Sequence, residues 1–236
     1  MKKIVSIHQP SYFPWLGLLD KIYESNTFVL LDNVQFNDNA FQSRNIFLNH
    51  TGEVQYLNIA VSKKDYQNKT IKDLKIVDHR WQKKHKSFLV ANYKKHPFFD
   101  EIYSYLEALY SKKYEYLIDV LYNSMESSNK MLNIDTEIIL ASDLDYNKTL
   151  KKDELVLAIL KSVNAGVYIS GTGAKDYQDD KKFEENNIIL EYQEFNHPIY
   201  NQKNSTTFQS GLSILDVLFN LGTKDSEILL KKGDMK

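Results

Sequence analysis

The sequence predicts an α/β fold in which a Rossmann-like, mostly parallel sheet is flanked by helices, with a helical insertion in the middle of the chain. Short apolar, β-branched runs alternate with amphipathic helical patterns at both ends of the 236 residues. From about residue 81 to residue 133, apolar residues instead recur at three- and four-residue steps, the spacing of one helix face. No linker or internal repeat separates these regions, so we expect a single α/β domain over residues 1–236.

The first elements form a strand–helix–strand unit. Residues 3–7 predict a buried strand, residues 16–25 a helix and residues 27–31 a second strand. Residues 45–48 and 54–61 predict a hairpin, because the second run alternates apolar and polar side chains.

The later elements return to alternating strands and helices. His96 and Pro97 divide the central helical region, since proline disfavours helical backbone in the residue before it. The remaining predicted elements are strands over 136–141, 167–170 and 188–192, a helix over 153–164, and a C-terminal helix over 213–221 closed by Gly222.

Composition excludes several classes of chemistry. With 30 basic and 31 acidic residues the formal net charge is −1, so we expect no nucleic-acid partner. The N-terminal apolar run is too short for a signal peptide or a membrane span, and we expect a cytoplasmic protein. The absence of cysteine excludes a thiol nucleophile and thiolate metal ligands, and no histidine–carboxylate spacing indicates a metal site.

The loop after the first strand is the strongest candidate for a site. His8 and Gln9 follow the strand directly, and Pro10, Trp15 and Gly17 give the loop rigid and aromatic character. An imidazole at a strand end can act as an acid or a base near neutral pH. The alternative is that His8 only caps the strand with a hydrogen bond.

The end of the second strand supplies polar groups at the same predicted edge of the sheet. Asp32 follows that strand, and Gln35, Gln42, Arg44 and Asn45 follow within the next loop. Such a set can bind sugar hydroxyls, and an arginine can bind a phosphate in bidentate geometry. Ordinary loop polarity explains any one of them equally well.

Two further patterns are compatible with binding. Trp81, Lys84 and His85 share one helix face, where they would contact an anionic substrate, although a half-buried tryptophan with solvated neighbours is the common alternative. Ser170 to Gly173 follow a strand and precede a helix, so their amides are candidates to bind a phosphate, but they match neither the P-loop nor the dinucleotide motif.

His197, directly before Pro198, is a second candidate for proton transfer at a strand end. The alternative is a tight turn in which the imidazole is already hydrogen-bonded.

Taken together, these segments resemble the WbqC-like family. The matching blocks, in chain order, include IHQPSYFPWLGLLDKI, FVLLDNVQF, YISGTGAKDY, YQEFNHPIYNQ and LSILDVLFNLG. The resemblance implies a setting in bacterial surface-polysaccharide (O-antigen) assembly, with glycine transfer as one suggested role. The opening also loosely resembles histidine-loop nucleotidyltransferases, but the second histidine of that motif is missing, since Leu18 follows Gly17.

The family pattern falls on a defined set of residues in this chain. We expect His8 as the base, Asp32 orienting it and His197 as the reserve, with a phosphate held by Ser170, Gly171, Thr172 and Gly173. The expected substrate-binding residues are Gln9, Tyr12, Trp15, Lys21, Gln35, Arg44, Asn45, Trp81, Lys84, His85, Tyr177 and Gln202.

The leading hypothesis is an acyl or aminoacyl transferase, glycyl transfer included, that forms an amide on a nucleotide-linked amino sugar. We expect no covalently bound cofactor and an acyl-CoA or carrier-protein thioester as donor, which makes acyl carrier protein a candidate partner. Two alternatives stay open: an ATP-dependent nucleotidyl-transfer or ligase-type enzyme, and a non-catalytic carbohydrate-binding protein of the same pathway.

Overall fold

A five-stranded parallel sheet forms the centre of the structure. The computed structural model describes residues 2–37, 40–62, 68–176 and 178–232. In chain order the sheet strands are β1 (Ile4–His8), β2 (Thr27–Leu30), β5 (Glu137–Leu140), β6 (Val167–Ser170) and β7 (Ile189–Tyr192). Strands β3 (Arg44–Leu48) and β4 (Val54–Asn58) form a separate antiparallel hairpin, at the position the alternation predicted.

The strand order β5–β2–β1–β6–β7 makes this a doubly wound sheet. From the central strand β1 the chain proceeds outward through β2 and β5 on one side, and later through β6 and β7 on the other. The order therefore reverses between β1 and β6, which is the topological switch point. The predicted Rossmann-like α/β class is confirmed, and every pairing within the sheet is parallel.

Helices cover both faces of the sheet, as the continuous apolar character of its strands requires. One face packs on α1 (Leu16–Tyr23), α7 (Ile214–Lys232) and the helices of the central region. The other face packs on α5 (Lys152–Ser162) and α6 (Asp180–Glu185). Within β2, Phe28 and Leu30 enter the first core while Val29 enters the second, so this strand contributes alternate side chains to the two cores.

The central part of the chain is helical, as predicted. It contains α2 (Trp81–Tyr93), α3 (Phe99–Ser111) and α4 (Leu117–Met131), with His96 and Pro97 between the first two. These helices belong to the same hydrophobic core as α1 and α7, and α7 packs directly on α3 and α4. No helix among the described residues has the length and apolar character needed to cross a membrane.

Gly222 ends the first of two helical segments within α7. Its φ of 74° and ψ of 177° lie outside the helical region, and helical residues resume beyond it. The predicted helix end at Gly222 is therefore confirmed, but the prediction missed the second helical segment, which follows at once. A Cβ atom at this position would lie 2.6 Å from Phe98 Cδ1, so both the backbone and the packing require glycine.

We expect Gly222→Ala to destabilise the protein by about 1–3 kcal/mol, because alanine is strained at positive φ and would displace Phe98. Urea-unfolding curves measure the change. Gly173→Ala is the matched control, since a Cβ atom there meets no heavy atom within 4 Å. Equal losses in the two variants would contradict this account.

Candidate functional site

His8 stands at the topological switch point of the sheet. It is the last residue of the central strand β1 and pairs with Leu30 of β2, while Ser6 pairs with Ile169 of β6 on the other side. The His8 carbonyl oxygen accepts a hydrogen bond from the Leu31 N–H at 2.9 Å. In doubly wound folds, ligands bind in the crevice outside the carboxyl ends of the strands at this point. His8 is therefore placed where the fold favours a ligand site.

The hydrogen bonds of His8 define its tautomer. Its Nδ1 lies 2.8 Å from the carbonyl oxygen of Gln9. A carbonyl oxygen only accepts hydrogen bonds, so Nδ1 carries the proton in the neutral ring and Nε2 keeps its lone pair. Nε2 has no hydrogen-bond partner among the described residues, and the side chain is exposed. The ring therefore presents a basic nitrogen to solvent.

The surroundings of His8 keep it uncharged. Crowding by protein atoms and, secondarily, the positive charge of Lys21 lower the pKa of His8 to about 4, against a smaller raising effect of the Gln9 carbonyl. The imidazole reaches solvent at the carboxyl end of β1, while the protein atoms around it disfavour its charged form. At neutral pH His8 can accept a proton but carries no charge of its own.

Lys21 is a buried cation close to the imidazole of His8. Its side chain is only 2% exposed, and its Nζ donates a hydrogen bond to the carbonyl oxygen of Ile7 at 3.2 Å. Burial lowers the pKa of Lys21 to about 8. Among the described residues no carboxylate forms an ion pair with it. A buried charge without a counter-ion is unfavourable, so an anionic ligand group near His8 would be stabilised here.

Side chains from distant segments fix the loop between β1 and α1. The Nε2 of Gln42 donates to the Oε1 of Gln9 at 2.6 Å. The Nδ2 of Asn45 donates to the carbonyl oxygens of Tyr12 and Phe13 at 2.8 and 2.7 Å. Gln9 and Asn45, both expected to bind substrate, are therefore engaged in holding the loop.

Phe13 carries the strain of this loop. Its φ is 41°, in the left-handed region that side chains disfavour. The hydroxyl of Ser124 accepts a hydrogen bond from its N–H, and the hydroxyl of Ser213 donates to its carbonyl oxygen. These contacts to α4 and to the start of α7 stabilise a backbone conformation that the sequence alone disfavours.

Trp15 and His197 lie together on the surface. The indole of Trp15 is 40% exposed and covers Gly17 so closely that a Cβ atom there would lie 2.3 Å from Trp15 Cη2. The ring of His197 is nearly parallel to the indole, with 6.3 Å between centroids, and Phe195 packs edge-on against Trp15. The Nδ1 of His197 donates to the Pro198 carbonyl oxygen at 2.9 Å, which again leaves Nε2 as the acceptor nitrogen.

Asp32 does not orient His8. Its Oδ1 accepts a hydrogen bond from the Ser142 N–H at 2.9 Å, and the side chain is completely buried. The contact to His8 that the mechanism required is absent among the described residues, and the Gln9 carbonyl holds the imidazole instead. A backbone contact therefore takes the orienting role expected of Asp32, because the carbonyl oxygen of the residue after His8 lies within hydrogen-bond distance of the His8 ring.

The glycine turn after β6 is only partly the expected phosphate site. Ser170 is buried, and its hydroxyl donates to the Oε1 of Gln178 at 2.6 Å. Thr172 and Gly173 lie in a short 3-10 turn and are exposed, while the next α-helix begins only at Asp180. A Cβ atom added at Gly171 or Gly173 would meet no heavy atom within 4 Å, so this side of the turn is open, and the next described α-helix begins nine residues after Gly171.

Tyr12, Trp81 and His85 form part of the core. The hydroxyl of Tyr12 lies 3.0 Å from the Nδ1 of His85 and 2.7 Å from the hydroxyl of Tyr110. The Nε2 of His85 donates to the Asn58 carbonyl oxygen at 3.2 Å, so Nδ1 is the acceptor of the Tyr12 hydroxyl. All three predicted binding residues are buried, and the face of α2 that carries Trp81 and His85 packs into the protein interior.

The other predicted binding residues are scattered. Lys84 is exposed and pairs with Asp78 at 2.8 Å, and the guanidinium of Arg44 lies 4.9 Å from the Tyr56 ring centroid. Gln202 is buried and holds its own loop through Gln209. Gln35 is exposed and lines a separate cavity, and Tyr177 lies outside the described residues.

Sequence reasoning missed a buried carboxylate and two polar neighbours of Asp32. Asp216 accepts hydrogen bonds from the hydroxyls of Tyr93 and Tyr200, and burial raises its pKa to about 6. Its position within an apolar stretch of α7 was the available signal. Asn33 and Lys148 lie near Asp32, and the adjacency of Asn33 in the sequence was a signal as well.

Among the described residues no group of histidines and carboxylates is arranged to hold a metal ion.

These features define a doubly wound α/β protein whose switch point brings together a neutral histidine and a buried lysine. The chain belongs to the WbqC-like protein family, whose model matches residues 9–228. It is also similar to an uncharacterized protein of Mycobacterium tuberculosis, Rv1507c, with 28% identity over 232 residues that cover 97% of this chain and 98% of that protein. No solved structure matches the chain.

We expect the imidazole of His8 to titrate near pH 4. In Lys21→Gln its pKa should rise, because the variant removes a nearby positive charge. Its pKa should stay below the ordinary value, since burial is the larger cause. NMR titration of the ring carbons measures both. Lys231→Gln, on the exposed end of α7, is the control and should leave His8 unchanged. Titration of wild-type His8 near 6.5 would contradict the desolvation of this imidazole.

Proposed function

We propose that the protein transfers an acyl or aminoacyl group, glycyl included, to the amino group of a nucleotide-linked amino sugar in bacterial surface-polysaccharide assembly. The observation that carries this proposal is the pairing of His8, neutral with a free Nε2, with the buried cation of Lys21 at the switch point. The first can take a proton from an attacking amine, and the second can hold a phosphate or a developing oxyanion. Membership of the WbqC-like family supports the polysaccharide setting.

The reaction needs one base and one cation. The sugar amine attacks the carbonyl carbon of an acyl thioester, carried by CoA or by a carrier protein, so that an N–C bond forms and the C–S bond breaks. The proton leaves the amine nitrogen for His8 Nε2 and then passes to the thiolate that departs. Because the fold has no cysteine, the acyl group moves directly between donor and acceptor without an acyl–cysteine intermediate.

Trp15 and His197 suit the sugar side of this site. The exposed indole offers a flat apolar face of the kind that stacks on a sugar ring, and its contact with Gly17 holds it against the start of α1. His197, fixed by the Pro198 carbonyl, presents a second acceptor nitrogen beside it. We assign Trp15 as the surface on which the sugar ring stacks, and His197 as the base that would accept the proton if His8 does not.

The test is turnover measured by mass spectrometry. Purified protein is incubated with nucleotide-linked amino sugars and with glycyl and acyl thioesters, and the product is an amide heavier by the acyl group. We expect His8→Gln to reduce kcat by about 10²–10⁴-fold, the range for loss of a general base. His50→Gln is the matched control, since His50 lies at the turn of the hairpin and contacts Asn92.

Two results would overturn the proposal: no product across a broad panel of donors and acceptors, or full activity in His8→Gln. Release of pyrophosphate from ATP would instead support the ATP-dependent ligase or nucleotidyl-transfer reaction. Binding of a sugar nucleotide with no turnover under any donor would support a carbohydrate-binding protein.

The pH dependence of kcat/KM separates the two groups. His8 in the free enzyme stays unprotonated above a pH of about 4. Protonation of His8 should therefore not limit kcat/KM between about pH 5 and 7. Lys21 loses its proton through a pKa of about 8, so kcat/KM should fall as the pH rises above that value. In Lys21→Arg the alkaline decline should disappear, because a guanidinium stays charged. A decline that persists unchanged in this variant would exclude Lys21 as its source.

A further inference from the structure

A second concave region lies beside the carboxyl ends of β2 and β5. Its volume is about 620 Å³. One wall is the segment just after β2, with Asn33, Val34 and Gln35. The other is formed by the end of the connection from β5 to α5, with Lys148 and Leu150, and by the first turn of α5, with Leu155. His8 does not line this cavity, but the two lie at the same edge of the sheet, since β2 pairs in parallel with β1 and β5 pairs in parallel with β2.

Two buried oxygen atoms beside this cavity have no hydrogen-bond partner among the described residues. They are Oδ2 of Asp32 and Oδ1 of Asn33. The other carboxylate oxygen of Asp32 is used by the Ser142 N–H, and the amide nitrogen of Asn33 donates to the Tyr146 hydroxyl at 2.6 Å. Buried acceptors without donors are unfavourable, so this corner is suited to a ligand that brings O–H groups.

The place of Asp32 in the topology indicates which O–H groups these are. It follows the second strand of a doubly wound sheet, on the opposite side of β1 from β6. In such folds an acidic residue at the end of the second strand accepts hydrogen bonds from the hydroxyls of a ribose. Two acceptors on consecutive residues match two hydroxyls on neighbouring carbons of that ring.

The rest of the cavity fits the remainder of a nucleoside. Val34, Leu150 and Leu155 provide apolar wall for a base. Adjacent strands of a sheet lie about 4.8 Å apart, so a ligand seated at the end of β2 needs to extend by only one strand to place its phosphates near Lys21 and His8. Lys21, buried without a carboxylate partner among the described residues, is the cation that would meet them.

We propose that this cavity binds the nucleoside of the nucleotide-linked substrate, with Asp32 and Asn33 accepting hydrogen bonds from its ribose, and that the protein therefore prefers ribonucleotides to 2′-deoxyribonucleotides. The inference rests on one part of the proposed function, namely that the substrate is linked to a nucleotide. Because both oxygens are enclosed, the ligand reaches them when the hydrogen bond between Asn33 and Tyr146 opens.

Isothermal titration calorimetry tests the preference without any acyl donor. The probes are the diphosphates of uridine, cytidine, guanosine and adenosine, each paired with its 2′-deoxy counterpart. We expect at least one ribonucleotide to bind about tenfold or more tightly than its deoxy partner, since a site that hydrogen-bonds a hydroxyl rejects the analogue that lacks it. Asn33→Ala and Asp32→Asn should reduce that ratio to less than about threefold.

Matched variants separate the ribose contact from folding and from catalysis. Asn123→Ala, on α4, removes an asparagine whose Nδ2 bonds the Asp119 carbonyl oxygen, and it should leave the ratio unchanged. His8→Gln should also keep the ratio while reducing kcat by about 10²–10⁴-fold. If Asp32→Asn fails to fold, the Asn33→Ala variant alone decides, because Asn33 is only partly buried.

Equal affinities for ribo- and deoxyribonucleotides, no binding of any nucleotide, or an unchanged ratio in Asn33→Ala would overturn the inference. Ribose preference without turnover would leave it standing while the transferase proposal fails. Turnover without ribose preference would support the transferase proposal and overturn the ribose inference.

Discussion

The structure depends on β1 pairing in parallel with a strand on each side. Because β2 and β6 both lie alongside β1, the chain must cross to opposite sides of it, and this crossing opens a crevice at the carboxyl end of the central strand. His8 is the residue that the strand delivers to that crevice. Lys21, on the helix that follows, reaches back to the carbonyl oxygen of Ile7 and brings a buried charge to the same place.

The loop between His8 and α1 is held by residues from three distant segments. Asn45, Ser124 and Ser213 all bond the backbone of Phe13, whose left-handed conformation is unfavourable by itself. The strain is therefore sustained by the hairpin, the central helices and α7 together. This explains why the helical region packs into the same core as α1: it stabilises the loop that borders the crevice, although it contributes no strand to the sheet.

The sequence predicted the fold class and most elements because apolar periodicity reports which faces are buried. It placed β6 at residues 167–170 and predicted the hairpin and the central helices. It predicted the helix end at Gly222 but missed the helical segment that follows, because a glycine at a helix end does not reveal whether a second helix comes next. It also assigned Trp81 and His85 to a ligand, because a shared helix face does not reveal whether solvent or another helix meets it.

What the sequence determined by itself is the set of polar residues that follow strands, His8 and Asp32 first among them, because strand ends can be located from local pattern. Only the tertiary structure decided which ends are neighbours and which polar groups already have partners. The Gln9 carbonyl orients His8, the Ser142 N–H engages Asp32, and Tyr12 meets Tyr110 across 98 residues of chain. Such contacts follow from the packing of distant segments, which local periodicity does not encode.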